Sequence, residues 1–157
     1  MSKNIVIKEV PIEEAVKVNA TIIEFDAPYQ KDYFEDRYKG KDKLIIVAYV
    51  DDQPAGYIVG YDKFGDGSFY CWMAGVNPIF RKLGLLKAMM DYEDKWAKEK
   101  GYNKIKIKTR NNRREMLAYL VKYGFFFTEV VQHLNIDDNR ILLEKELYVC
   151  GACVIRC

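Results

Sequence analysis

Histidine is nearly absent from this 157-residue chain: His133 is the only one. A single imidazole leaves little room for a Ser-His-Asp or Cys-His relay, and no such pairing is evident in the sequence, so an acyl-enzyme is not expected. Long apolar runs are missing as well. The longest resemble Leu44 to Val50, far short of the ~20 residues a helix needs to cross a bilayer. Residues 1–20 carry acids throughout and have no apolar core of a secretion signal. A strong charge of one sign is also lacking. The net charge is +2, too weak to argue for nucleic acid or a membrane surface as a partner. These absences imply a cytoplasmic protein with no nucleic-acid or membrane partner, in which any basic character that matters is local.

Cysteines number four, and three of them, Cys150, Cys153 and Cys157, crowd the C-terminus. A Cys-x-x-Cys spacing is half of a zinc site or a redox pair, but no second ligand pair accompanies it, so no metal is expected. Cys71 lies inside a strand-like run and reads as a small buried side chain. His133 reads as a residue at a sheet end. No repeat, linker or low-complexity segment interrupts the chain. It is therefore taken as one domain over residues 1–147, followed by a Cys-rich tail at 148–157.

What is present is regular. Ile5 to Val10 reads as a strand, and Ile12 to Ile22 repeats at helical spacing, with Pro28 as a stop. Tyr29 to Lys39 reads as a second, aromatic-rich helix. Lys43 to Val50 and Ala55 to Tyr61 form a hairpin about the turn Asp51-Asp52-Gln53-Pro54. Ser68 to Val76 is a fourth strand. Leu85 to Lys100 carries a mainly apolar stripe and ends at Gly101. In Asn103 to Thr109 the isoleucines face one way and Lys104, Lys106 and Lys108 the other, a solvated strand face. Asn111-Asn112 opens a helix closed at Gly124, and Phe125 to Val131 and Ile141 to Leu147 are the last strands. The order β-α-α-β-β-β-α-β-α-β-β predicts an α/β (α+β) fold with a mixed sheet and helices on both faces.

The most informative stretch is Val76-Asn77-Pro78-Ile79-Phe80-Arg81-Lys82-Leu83-Gly84-Leu85-Leu86. A strand, a Pro-bounded turn, a basic loop with Gly and a helix start bring backbone N–H groups and the positive end of a helix dipole to one spot. That is a phosphate or pyrophosphate cradle.

The spacing Val-x-Pro-x-x-Arg-x-x-Gly also resembles the acetyl-CoA loop of the GCN5-related N-acetyltransferase (GNAT) family. The order of elements over residues 4–147 resembles that fold, with its mixed, mostly antiparallel central sheet. So does the run from Asn111 through Tyr119, Tyr123 and Gly124-Phe125. The family pattern has Gly or Ala where this chain has Leu86, and Tyr where it has Leu120. The resemblance implies acetyl transfer from acetyl-CoA to a primary amine by direct attack in a ternary complex; the alternative is a catalytically degenerate domain that binds CoA for regulation. It places the cofactor on Met73, Ala74, Gly75 and Val76, on Arg81, Lys82, Leu83, Gly84, Leu85 and Leu86, and on Asn111 or Asn112. A bulge near Met73 to Val76 would aim a backbone N–H at the thioester oxygen. Tyr119, one step from the family's position, or Tyr123 would protonate the leaving thiolate. The fourth strand offers no carboxylate, so a base must come from Glu24 or Asp26 through water, or from Tyr70. Tyr29 and Tyr33 are candidate walls over the acceptor. The acceptor itself, small molecule or peptide, stays open, as does the oligomeric state, a homodimer included.

Overall fold

Alternating apolar residues set the strands, and one parallel pair among them positions the site. The computed structural model describes residues 3–22 and 29–147. The elements are β1 (Ile5–Glu9), α1 (Ile12–Asn19), α2 (Lys31–Tyr38), β2 (Lys43–Val50), β3 (Gln53–Tyr61), β4 (Ser68–Val76), α3 (Leu85–Lys100), β5 (Lys104–Arg110), α4 (Arg114–Lys122), β6 (Phe126–Val131) and β7 (Arg140–Glu146). They build one seven-stranded sheet in the order β1-β2-β3-β4-β5-β7-β6. Every neighbouring pair is antiparallel except β4 and β5. The element order and the mixed, mostly antiparallel sheet are those expected from the sequence.

The sheet is covered on both faces, so there are two cores. On one side α3 and α4 lay Leu85, Met89, Leu117 and Leu120 over Phe69, Cys71, Ile105 and Leu143. On the other, α1 and α2 lay Val18, Phe34 and Tyr38 over Val47, Tyr57 and Val59. Helix α2 is otherwise polar, and Phe34 and Tyr38 are its two buried residues. Each contributes roughly 1.5–3 kcal/mol by burial, so these two rings hold the helix down. Strand β6 is a sheet edge exposed along its whole length.

Local differences from the sequence expectation have physical causes. Helix α1 ends at Asn19 instead of continuing toward Pro28, because the Asn19 side chain is drawn inward. Its Nδ2 donates to the Tyr57 hydroxyl at 2.7 Å, and its Oδ1 accepts from the Tyr29 amide at 3.2 Å. The first hairpin turn is only Asp51-Asp52, both with positive φ (47° and 69°). Such a two-residue turn matches strand twist, so β3 begins at Gln53 and takes in Pro54. Helix α4 starts at Arg114, past Asn111-Asn112. Among the described residues no helix is long and apolar enough to cross a membrane. No group of three or more His, Cys, Asp or Glu among them is placed to hold a metal ion. The cysteines of the tail lie outside the described residues.

Candidate functional site

Strands β4 and β5 pair only from Ser68↔Lys104 to Cys71↔Ile107, and beyond that point they part. On its other side β4 pairs Met73 with Val59 and Cys71 with Gly60, which leaves Trp72 as an extra residue, a β-bulge. A bulge shifts the side-chain alternation by one. Phe69 and Cys71 face the α3 side before it, while Ala74 and Val76 face that side after it. Trp72 and Met73 both pack on the α1/α2 side. The stretch from Ala74 to Val76 therefore presents small side chains and an edge of main chain unpaired on the β5 side. Gly75 makes room for the Ile22 side chain; a Cβ there would lie 2.3 Å from Ile22 Cδ1.

The fork opens into a cleft of about 700 Å³ lined by Ala74, Gly75 and Val76, by the loop before α3, by Thr109 and by α4. Asn77 starts that loop, its Oδ1 accepting from the Ile79 amide at 3.2 Å above a 3₁₀ turn, Pro78–Phe80. Arg81 lies against the strand end, with Nε donating to the Val76 carbonyl at 3.3 Å. Lys82 (φ 69°) and Gly84 (φ 77°) are both left-handed, a conformation that suits Gly and strains Lys. Gly84 is the N-cap of α3, and its carbonyl accepts the first helical bond, from Ala88 N. The amides of Leu85, Leu86 and Lys87 thus have no partner within the helix, and they stand at the positive end of a 16-residue dipole. A Cβ on Gly84 would meet nothing within 4 Å, so the glycine is required by its backbone angle and by whatever comes close to it from the cleft.

Helix α4 supplies the opposite wall. Leu120 is fully buried in the α3-side core, and the roughly 100° turn per residue points Tyr119 into the cleft with Tyr123. The two rings are 4.5 Å apart. The Tyr119 hydroxyl is buried without a hydrogen-bond partner. Burial first, then the Asp91 charge, pushes that phenol up from its ordinary value, so it stays protonated at neutral pH, a donor without an acceptor on a residue of the cleft wall.

Eleven of the residues expected to meet the cofactor or its thiolate line this cleft: Ala74, Gly75, Val76, Arg81, Lys82, Gly84, Leu85, Leu86, Asn112, Tyr119 and Tyr123. Three do not. The Met73 side chain packs on the opposite face. Leu83 sits on the outside of the loop, 36% exposed. Asn111 is used within the fold, Nδ2 donating to the Ile136 carbonyl and Oδ1 accepting from Arg114. The sequence reading missed Thr109, Lys87, Arg113 and Arg114, which also line the cleft. The alternation of β5 and the basic residues flanking the two motifs were the available signals.

Tyr29, Tyr33 and Tyr70 lie on the α1/α2 side. Tyr29 and Tyr33 stack with centroids 4.3 Å apart, and Tyr33 meets Trp72 at 5.7 Å. Tyr70 is buried against Tyr61, and burial pushes it up to about 12, which removes it as a base at neutral pH. Glu24 and Asp26 lie outside the described residues. Glu115 is the one carboxylate on the cleft wall among the described residues. A second carboxyl, Glu93 on α3, is fully buried and neither oxygen has a hydrogen-bond partner. The Cys71 thiol lies beside it without making a bond of good geometry, and burial pushes Glu93 up to about 8.

A family model described as the acetyltransferase (GNAT) family matches residues 14–125. No curated protein matches the chain. Among solved structures, the chain is similar to the ribosomal-protein-S18-alanine N-acetyltransferase from Escherichia coli. The TM-score is 0.79 at 12% identity, with 98% of this chain and 100% of that one covered. It is similar to Ard1 from Thermoplasma volcanium, with a TM-score of 0.76 at 18% identity over 92% and 99% of the two chains. A GNAT family acetyltransferase from Elizabethkingia anophelis, solved with acetyl-CoA bound, gives 0.71 at 20% identity, again over 92% and 99%. At these identities the likeness is one of fold.

Proposed function

The chain belongs to the GNAT acetyltransferase family, and we propose that it transfers the acetyl group of acetyl-CoA to a primary amine by direct attack in a ternary complex. The observation that carries this reading is the cleft itself: a β4 edge unpaired on the β5 side, a helix start whose first three amides have no partner within the helix and a buried phenol lacking an acceptor border one volume. The relatives solved with acetyl-CoA or CoA bound support the same cosubstrate.

Each part has a chemical task. The amides of Leu85, Leu86 and Lys87 and the flanking Arg81 and Lys82 suit a pyrophosphate. These amide donors are main-chain, so Leu86 does not remove them. The edge from Ala74 to Val76 suits an extended amide-bearing arm, added like a strand. The bulge at Trp72 turns the backbone just before that edge, where a thioester oxygen needs a donor. Tyr119 supplies a proton to a leaving thiolate. An alkyl amine has a pKa near 10.4, so roughly one in two thousand is neutral at pH 7. A desolvating pocket or a base must correct that, and Glu115 is the cleft carboxylate among the described residues.

One observation favours a second reading, a CoA-binding domain without catalysis: no carboxylate stands on β4 itself. Two measurements separate the readings. Calorimetry should show acetyl-CoA binding with no comparable binding of ATP. A panel of amines should yield at least one acetylated product with release of free thiol. Binding without turnover of any amine leaves the regulatory reading, and absence of acetyl-CoA binding removes both.

A further inference from the structure

The lysine row of β5 is not uniform. Lys104 pairs with Glu144 at 3.1 Å and Lys106 with Asp66 at 2.8 Å. Lys108, the next in the row, has no carboxylate partner among the described residues. It shares its surroundings with two more cations in the same condition, Arg37 of α2 and Lys63 after β3. Lys108 and Arg37 both bear on Lys63, which is held below its ordinary value first by burial, then by Lys108 and then by Arg37. The cations stand on an aromatic floor. Arg37 lies 5.1 Å over the Trp72 ring and its Nε donates to the Tyr61 hydroxyl at 3.1 Å, while Lys63 lies 4.7 Å over Tyr70. These ring contacts hold Arg37 and Lys63 in place without neutralising them.

The place of this cluster in the fold gives it meaning. Trp72 is the bulged residue of β4, and Lys108 is the first residue of β5 past the last β4–β5 pair. The cations thus stand where the fork begins, on the face opposite α3 and α4. Ala74, at the cleft, is two residues further along β4, about 7 Å at ~3.3 Å per residue. A small molecule with an anion on the cluster can extend an amine that far.

Resting on acetyl transfer as the function of the cleft, we infer that the acceptor is a small amine that also carries an anionic group, carboxylate or phosphate, held by Arg37, Lys63 and Lys108. Like charges brought together without an acid repel. A ligand anion relieves that repulsion, whereas polyamines and aminoglycosides add to it.

The test compares matched acceptors with the full-length protein: 4-aminobutyrate against 4-aminobutyramide, O-phosphoethanolamine against ethanolamine, and spermidine. The anionic member of a pair should have a kcat/KM higher by about tenfold or more, the work of a few exposed charge pairs. Which anionic member leads distinguishes carboxylate from phosphate. In Lys63→Gln/Lys108→Gln the preference should fall below about threefold, through KM for the acceptor, with the acetyl-CoA KM unchanged. Amide chemical-shift titration with glutarate and with inorganic phosphate reads the anion site without turnover. Shifts at residues 63, 72 and 108 that disappear in the double variant support the inference even where none of these amines is acetylated, an outcome that would count against the transfer reading alone. Equal turnover of neutral and anionic amines, a preference for spermidine, or no shifts at these residues overturns the inference and leaves acetyl transfer standing.

Discussion

The two sides of the fork are built by different means. The α3 side offers a ligand largely main chain: helix amides, a left-handed glycine and an open strand edge beside small residues. The α1/α2 side presents large side chains, the rings of Tyr33, Tyr61, Tyr70 and Trp72, with Arg37 over Trp72 and Lys63 over Tyr70. Main-chain recognition depends on φ and ψ and tolerates changes of side chain. Side-chain recognition changes with each substitution. The proposed placement, a common cosubstrate on the first side and a chain-specific acceptor on the second, accords with that difference.

The comparison breaks most visibly at Gly84. A β-branched residue is strained at φ 77°, so Gly84→Val should displace the amides of Leu85 to Lys87. Acetyl-CoA affinity should drop by about two orders of magnitude, or ~2.8 kcal/mol at 1.4 kcal/mol per tenfold. Circular dichroism should stay near wild type, because a Cβ there meets no atom of the fold. Calorimetry giving wild-type affinity would show that the cradle is elsewhere.

Tyr119 is the side-chain exception on the main-chain side. Tyr119→Phe should lower kcat by roughly 10²-fold with little change in the acetyl-CoA KM, as for a group that acts in the transition state. Tyr123→Phe is the control and should change kcat far less. Wild-type kcat in both across pH 6–9 would leave protonation of the thiolate to solvent or to the helix end.

The ionisable groups without a partner of opposite charge on the two sides also differ. The cations near Trp72 include the exposed Arg37 and Lys108, whereas Glu93 is buried beneath β4. Its native pKa is raised to about 8 from 4.5. Between those values the folded state keeps a proton that the unfolded chain has released, so stability falls as pH rises through the window. Glu93→Gln should remove this slope. Urea unfolding should show the wild type losing on the order of 1.4 kcal/mol per pH unit relative to the variant between about pH 5 and 8. Parallel pH dependences would mean that Glu93 ionises as an exposed acid does.

The smallest effect is expected where the family pattern and this chain part. Leu86→Ala should change acetyl-CoA affinity by less than about threefold, since alanine keeps both the amide and the helix. A much larger loss would show that the leucine side chain, and not the backbone, meets the ligand.

The sequence by itself determined the element order, the loop, the helix Leu85–Lys100 and the strand Ser68–Val76, each with the bounds read from alternation and spacing. Those signals are local: a period of two or 3.6 and a glycine where a helix begins. Tertiary structure alone decided the rest. Whether Tyr119 or Leu120 meets the cleft depends on which face of α4 the sheet covers, and the covered face took Leu120. The bulge at Trp72 is set by the register of β3 against β4. Arg37, Lys63 and Lys108 come from three distant segments, and only the meeting of α2, the end of β3 and β5 on one face of the sheet makes them a cluster.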